Sequence, residues 1–462
     1  MALCATSALS SSLPNVVVIL TDDQGYQDLG CFGSPLIKTP SLDQMAAEGC
    51  RFTSFYAAAS ICSPSRAALL TGRYPDRIGI QGVYFPNRDD GMPLKEITLA
   101  EILKQRGYAT ACIGKWHLGH LPEYLPTSRG FDLYYGIPYS NDMWLDPTHI
   151  PPAENIVLTR GKTLENYVGV DRNEKAQSVH QVPLMRNTKC VEWPADQSTL
   201  TKRYAEESVK FIRENRDRPF FLYLATAMPH VPLFVSEAFK GKSPRGLYGD
   251  CVEEIDWAVG QVLQALNEES LDRNTLVVFT SDNGPWLTKG KLGGSAKPLR
   301  SGKGSTYEGG QRVPCVMRWP AVIPSGTVCD EAVSTLDIFP TVAAVTGADL
   351  PADRTIDGHN ILPLLRQDPG AKSPWDVFYY ELTGLRSGSW KYREGLLFHR
   401  YKQKDNPHVI QLFNLEQDIG EENDLSEQYP EKVKEFHRML EEFRKTVTQN
   451  QLSKENQISQ KE

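Results

Sequence analysis

Three stretches of the chain are almost wholly apolar, and each stops abruptly in polar residues. Asn15 to Leu20 (NVVVIL) leads into Thr21-Asp22-Asp23-Gln24, Pro219 to Ala225 (PFFLYLA) into Met228-Pro229-His230, and Thr275 to Thr280 (TLVVFT) into Ser281-Asp282-Asn283-Gly284. Alternating polarity marks a strand with one wet face, whereas continuous runs of this kind mark strands buried on both faces of a parallel sheet. Between them lie amphipathic helical patterns, Leu99 to Arg106 closed by Gly107, and Tyr204 to Asn215. Strands alternating with helices predict a doubly wound α/β core, a mixed sheet flanked by helices. Open sheets of this type bind ligands at the C-terminal edge of their strands, which is where these polar residues would stand.

The texture changes after about residue 365. Val377 to Tyr380, Trp390 to Tyr392, Leu396 to Tyr401 and Gln411 to Leu415 read as short strands, followed by a helix near Tyr429 to Val447. The expected organisation is an N-terminal segment over 1–14, a catalytic domain over 15–365, a smaller antiparallel sheet plus helix over 366–447, and a flexible polar tail over 448–462. A chain of 462 residues exceeds one ordinary core, which agrees with a large and a small unit.

Charge changes the picture by exclusion. With 50 basic and 57 acidic residues interspersed, the net charge of −7 offers no field for nucleic acid or an anionic membrane, so an anionic substrate needs a local basic cluster. The nine cysteines are scattered without a CxxC pair, which argues against a zinc site and against a dense disulfide framework. No segment reaches the roughly 20 apolar residues of a membrane span. Met1 to Ser12 lacks a positive region and a full apolar stretch, and reads at most as the remnant of a secretory signal.

Candidate chemistry concentrates at a few places. Asp22-Asp23 and Asp282-Asn283 are hard oxygen donors delivered by separate buried strands, suited to calcium or magnesium, although such a pair alone serves equally as a turn or cap. Cys62-Ser63-Pro64-Ser65-Arg66 continues through Leu70-Thr71-Gly72-Arg73. Gly114-Lys115-Trp116-His117-Leu118-Gly119 and Gly136-Ile137-Pro138-Tyr139-Ser140-Asn141-Asp142 follow. Gly302-Lys303-Gly304-Ser305-Thr306-Tyr307-Glu308-Gly309-Gly310 comes later, with Arg312 just after.

These motifs resemble those of the type I sulfatases, in particular the arylsulfatase A and N-acetylgalactosamine-6-sulfatase branch, over Asn15 to about Asp424. The C-x-P-x-R stretch resembles the signature at which cysteine is oxidised to formylglycine, 3-oxoalanine. The resemblance implies an alkaline-phosphatase-like fold, one bound Ca2+ held by Asp22, Asp23, Asp282, Asn283 and the converted Cys62, and a formylglycine-generating or anaerobic maturing enzyme as partner. It further implies that one hydroxyl of the aldehyde hydrate attacks sulfur while the other later collapses to expel sulfate, whereas a serine could attack but would release less easily. Lys115 would bind sulfate oxygens or hold the formylglycine hydroxyl, Lys303 would neutralise charge that shifts toward the leaving oxygen, His117 would take the proton that permits collapse, and His230 would contact sulfate and protonate the leaving oxygen. Arg66 would join the cationic cluster and Ser140 would contact substrate. The implied substrates are sulfated carbohydrates, with aryl sulfates also accepted, in an exported or lysosomal setting. Substrate choice would reside in loops from Asn141 to Gln197, with Trp144, Arg160 and Trp193 among them. The competing readings are a phosphonate or phosphate ester hydrolase of the same superfamily and a noncatalytic protein that binds sulfated glycans.

Overall fold

The computed structural model describes residues 13–171, 180–396 and 408–458. Its centre is an 11-stranded sheet. In chain order the strands are β1 (Asn15–Thr21), β2 (Cys50–Phe52), β3 (Phe55–Tyr56), β4 (Ala109–Gly114), β5 (Leu133–Gly136), β6 (Pro152–Leu158), β7 (Leu184–Arg186), β8 (Lys189–Trp193), β9 (Phe220–Ala225), β10 (Thr275–Ser281), β11 (Cys315–Arg318), β12 (Thr327–Cys329) and β13 (Val333–Ser334). The sheet runs β12-β2-β11-β10-β1-β9-β4-β5-β7-β8-β6, while β3 and β13 pair separately. Its middle, β10-β1-β9-β4-β5, is parallel, and antiparallel β11 and β7 flank it.

The apolar runs are buried on both faces for a visible reason. Val16, Val18 and Leu20 point into one core, against the helices Cys62–Thr71, Leu99–Gln105 and Ile338–Thr346. Val17 and Ile19 point into the other, against Pro40–Ala47, Leu200–Glu214 and Leu247–Glu268. A sheet covered on both sides leaves only its strand ends in reach of a ligand.

The smaller sheet is antiparallel: β14 (Phe378–Tyr379), β15 (Gly384–Ser387), β16 (Trp390–Leu396) and β17 (His408–Asn414). β15 was absent from the sequence expectation, because a four-residue strand with two glycine-flanked turns carries little periodic signal. Most of the expected strand Leu396 to Tyr401 lies outside the described residues, and β16 ends at Leu396. The closing helix, Pro430–Ile458, continues past Val447 into the segment expected as a flexible tail. Leu385, Tyr392 and Leu412 bury against Phe436 and Leu440 of that helix. Tyr379 stacks on Phe443 at 3.8 Å, and a second cluster joins Phe378 and Tyr380 to Tyr56 and Tyr74 of the large unit. The described cysteines are all free.

Candidate active site

The parallel register of β1 with β10 sets Thr21 beside Ser281, so the two acidic pairs emerge together. Asp23 N donates to Asp282 Oδ1 at 3.2 Å, and Asn283 Nδ2 donates to Asp23 Oδ1 at 2.7 Å. Asp23 takes a left-handed φ of 64°, a costly conformation for a residue other than glycine and one that clusters at functional sites. One oxygen each from Asp22, Asp23 and Asp282 lies with Cys62 Sγ in a group whose members are all within 4.8 Å of one another. Asn283 Oδ1 is buried without a protein partner. Three gathered carboxylates, with an orphaned amide oxygen on the residue after Asp282, fit a hard divalent cation, which would relieve the like charges.

Cys62 opens the helix Cys62–Thr71, whose residues are all buried. The N-terminus of a helix favours negative charge. Two bonds pin this turn to the end of β4: Ser63 Oγ donates to His117 O at 2.8 Å, and Arg66 Nη1 to Lys115 O at 3.0 Å. Cys62 Sγ lies 3.5 Å from Asp22 Oδ1 and 3.5 Å from Lys303 Nζ. Gly114 is forced by close approach, since a Cβ there would sit 1.8 Å from Ala225 O.

Lys115 Nζ donates to Asp22 Oδ2 at 2.5 Å and to Ser140 Oγ at 3.2 Å. Lys303 Nζ lies 2.7 Å from the Asp23 carboxylate. Arg66 lies in the same cluster. Its Nε and Nη2 reach Asp282 Oδ2 at 3.0 and 2.9 Å, and Nη2 lies 3.5 Å from Asp22, so this guanidinium holds the carboxylates in place. Arg312 lies apart from this cluster, bonded to Thr53 O and Glu308.

His117 Nε2 meets Tyr84 O at 3.1 Å, an acceptor, so the proton is assigned to Nε2. Its Nδ1 is then a buried lone pair without a protein partner, and its φ of 61° is again left-handed. His230 Nδ1 faces the acceptors Val231 O at 2.6 Å and Asn141 Oδ1 at 3.1 Å. That assigns its proton to Nδ1 and turns Nε2 toward the site, 3.6 Å from Asp23 Oδ2. Ser140 Oγ stands 3.4 Å from His230 Nδ1, between it and Lys115.

Burial alone would raise Asp22, but Lys115, His230, Arg66 and Lys303 together hold it well below the carboxylate range. Burial wins at Asp282, which is pushed up to about 7, with Asp22 adding to the rise against Arg66 and Lys115. Asp23 is also raised, by burial first, with Asp22 adding and Lys303 opposing. Burial lowers both histidines well below their usual value, aided at His117 by Lys115 and Arg66 and at His230 by Lys303. Both rings are therefore neutral at physiological pH. Burial pushes the Cys62 thiol far up, against Lys115 and Lys303, so it stands there as an uncharged thiol.

The fold thus gathers Asp22, Asp23, Cys62, Arg66, Lys115, His117, Ser140, His230, Asp282, Asn283 and Lys303. Sequence reasoning missed three neighbours. Asn141, quoted only within the Gly136 to Asp142 stretch and as the start of the loops assigned to substrate choice, accepts from His230 and donates to Pro232 O at 2.8 Å. Trp286, whose ring centroid is 5.4 Å from that of His230, follows the Asp-Asn-Gly-Pro turn with no local signal. Glu308 anchors the turn after Lys303 through partners far away in the chain. Conversely, Trp144 and Trp193 are core residues, 2% and 1% exposed, and not open loop aromatics.

A family model described as Sulfatase matches residues 14–348, and one described as N-sulphoglucosamine sulphohydrolase, C-terminal, matches 302–448. Arylsulfatase A of Homo sapiens is 43% identical over 392 residues, covering 82% of this chain and 74% of that protein. N-acetylgalactosamine-6-sulfatase of Sus scrofa is 37% identical over 448 residues, covering 89% and 82%. Among solved structures, Ps i-CgsB in complex with k-i-k-neocarrahexaose superimposes with a TM-score of 0.78 at 32% identity, covering 94% of this chain and 93% of that one.

Proposed function

The chain belongs to the sulfatase family and is a sulfuric ester hydrolase, and from that premise we propose how its residues perform the reaction. The observation that carries the reading is the position of Cys62 Sγ, 3.5 Å from both Asp22 Oδ1 and Lys303 Nζ at a helix N-terminus. An oxygen in place of that sulfur would touch the cation site and the anion cluster together. Oxidation of Cys62 to formylglycine by a maturing enzyme would supply a hydrated aldehyde as nucleophile, and Ca2+ held by Asp22, Asp23, Asp282, Asn283 and position 62 would draw off charge from it and from the sulfate.

Lys115 and Lys303 hold the sulfate oxygens, each already aimed by a carboxylate and therefore reorganising little as charge develops. His230, fixed through Nδ1 by Val231 O and Asn141, presents an unprotonated Nε2 toward the leaving oxygen; with the sulfate anion bound beside it, Nε2 takes up a proton from solvent and passes it to the departing alcohol. His117 keeps a lone pair on Nδ1, positioned by its bond to Tyr84 O, to take the proton whose removal frees sulfate. Arg66 positions Asp282 and Asp22, and Ser140 positions Lys115 and His230.

Sulfated carbohydrates are the proposed substrate class. Ps i-CgsB was crystallised with an oligosaccharide and N-acetylgalactosamine-6-sulfatase is named for a sugar sulfate, which supports this choice. An exported or lysosomal location is proposed with it; among the described residues no helix is long and apolar enough to cross a membrane. The test is peptide mass spectrometry on Cys62 together with sulfate release from 4-methylumbelliferyl sulfate, with and without a calcium chelator. Aldehyde at position 62 and chelator-sensitive turnover are expected. An unmodified Cys62 with full turnover would overturn the proposed nucleophile.

A further inference from the structure

The candidate site is buried, and of its ion-paired side chains that of Lys303 is the most exposed. The side chains of Asp22, Arg66 and Lys115 have no exposure, Asp23 has 2% and His230 4%, whereas Lys303 has 12%. A sulfate held among these groups joins its leaving group past Lys303 and His230. Trp286 stands there, half-buried, with Lys303 Nζ 4.7 Å from its ring centroid and the His230 ring 5.4 Å away. Leu287, next in the chain, is 42% exposed.

The indole is fixed relative to the site by backbone. Lys303 N donates to Pro285 O at 2.9 Å, and a Cβ on Gly302 would meet that oxygen at 2.3 Å, so the two loops are clasped. Lys289, exposed, brings its Nζ to 4.2 Å from the same ring centroid. A half-buried indole with ammonium groups over its ring leaves its exposed edge to a sugar's C–H groups and sets a charge beside it for a second anion. On a chain of net charge −7 such attraction has to be local.

Resting on the reading of Lys303 and His230 as sulfate-facing groups, we infer that Trp286 and Lys289 form a subsite for the leaving group. That leaving group is a carbohydrate carrying a second anion, a carboxylate or a further sulfate, and not a bare aryl or steryl alcohol.

Inhibition of 4-methylumbelliferyl sulfate hydrolysis by matured enzyme tests this. The two inhibitors are N-acetylgalactosamine 6-sulfate and the chondroitin 6-sulfate disaccharide, which adds a uronate carboxylate. The disaccharide is expected to inhibit about tenfold more tightly than the monosaccharide. Lys289→Ala should collapse that ratio toward one, while Lys291→Ala, which removes the same charge two residues away, should keep it. Trp286→Ala should weaken both inhibitors by about tenfold, with Trp286→Phe recovering part of the loss. Equal inhibition by the two sugars in the parent enzyme, or equal loss of the ratio in both lysine variants, would overturn the subsite. If matured enzyme leaves the aryl sulfate intact, it is the reading of the reaction that fails. The rim is then read by quenching of tryptophan fluorescence with the disaccharide: a quench abolished in Trp286→Phe upholds it, and one that persists refutes it.

Discussion

The ammonium of Lys391, on the small sheet, lies 2.9 Å from Glu308, in the turn that follows Lys303 on the large unit, and both side chains are fully buried. The same nitrogen meets Glu421 at 2.8 Å, while Tyr56 and Tyr380 donate to Glu308 at 2.6 and 2.7 Å. Burial would raise Glu308, but Lys391, Arg312 and Arg386 hold it well below the usual range, whereas burial pushes Glu421 up to about 7. One cation thus locks the small sheet to the loop that carries Lys303.

Replacing Lys391 by methionine leaves Glu308 and Glu421 buried without that cation. Breaking a buried pair from one side costs about 3–5 kcal/mol. The expected result is a lower Tm together with a raised KM for aryl sulfate, because the Lys303 loop loses its anchor. An unchanged Tm by calorimetry would count against the lock.

Cys62→Ala should lower kcat at least a thousandfold, the scale seen when a nucleophile is removed, while leaving the melting profile close to that of the parent. Comparable turnover in this variant would mean that position 62 is not the nucleophile.

Calcium should raise the Tm of metal-stripped protein, since a ligand at about 100 times its Kd stabilises by about 2.7 kcal/mol. Asp23→Asn removes one carboxylate and should blunt that rise. A calcium-independent Tm in the parent protein, followed by differential scanning fluorimetry, would argue against the cation site.

Ser140→Ala removes the hydroxyl between Lys115 and His230. Loss of about one hydrogen bond's worth, roughly 1 kcal/mol, corresponds to a fall of about fivefold in kcat/KM, carried mainly by kcat. A loss a hundred times larger would make Ser140 a direct participant in the reaction and not a positioning group.

Asp337 supplies a pH test away from the proposed metal ligands. Burial pushes it up to about 7, against bonds from Trp375, His359 and Ser334. Its folded value lies above its unfolded one of about 3.9, so the folded state binds the extra proton between those limits and stability falls as pH rises from about 4 to about 7. Asp337→Asn should flatten that part of the stability curve in metal-stripped protein, measured by urea unfolding at several pH values. An unaltered slope would show that Asp337 ionises normally in the fold.

Much of the fold was legible because burial on both faces leaves a local trace. The runs at β1, β9 and β10 named themselves, and so did the polar residues at their ends, since period and composition report burial without any partner being known. The chemical types in the candidate site were likewise readable from motif spacing. Tertiary structure alone decided which of these groups meet and what each one faces. Arg66 was grouped with the sulfate-binding cations, and it lies against Asp282 and Asp22, 216 and 44 positions distant in number, because the register of β1 with β10 brings the carboxylates to it. Asn141, Trp286 and the Lys391 to Glu308 pair were unreadable for the same reason. Periodicity tells a residue's burial, while its partner depends on strand order and on chain segments that come together only when the sheets close.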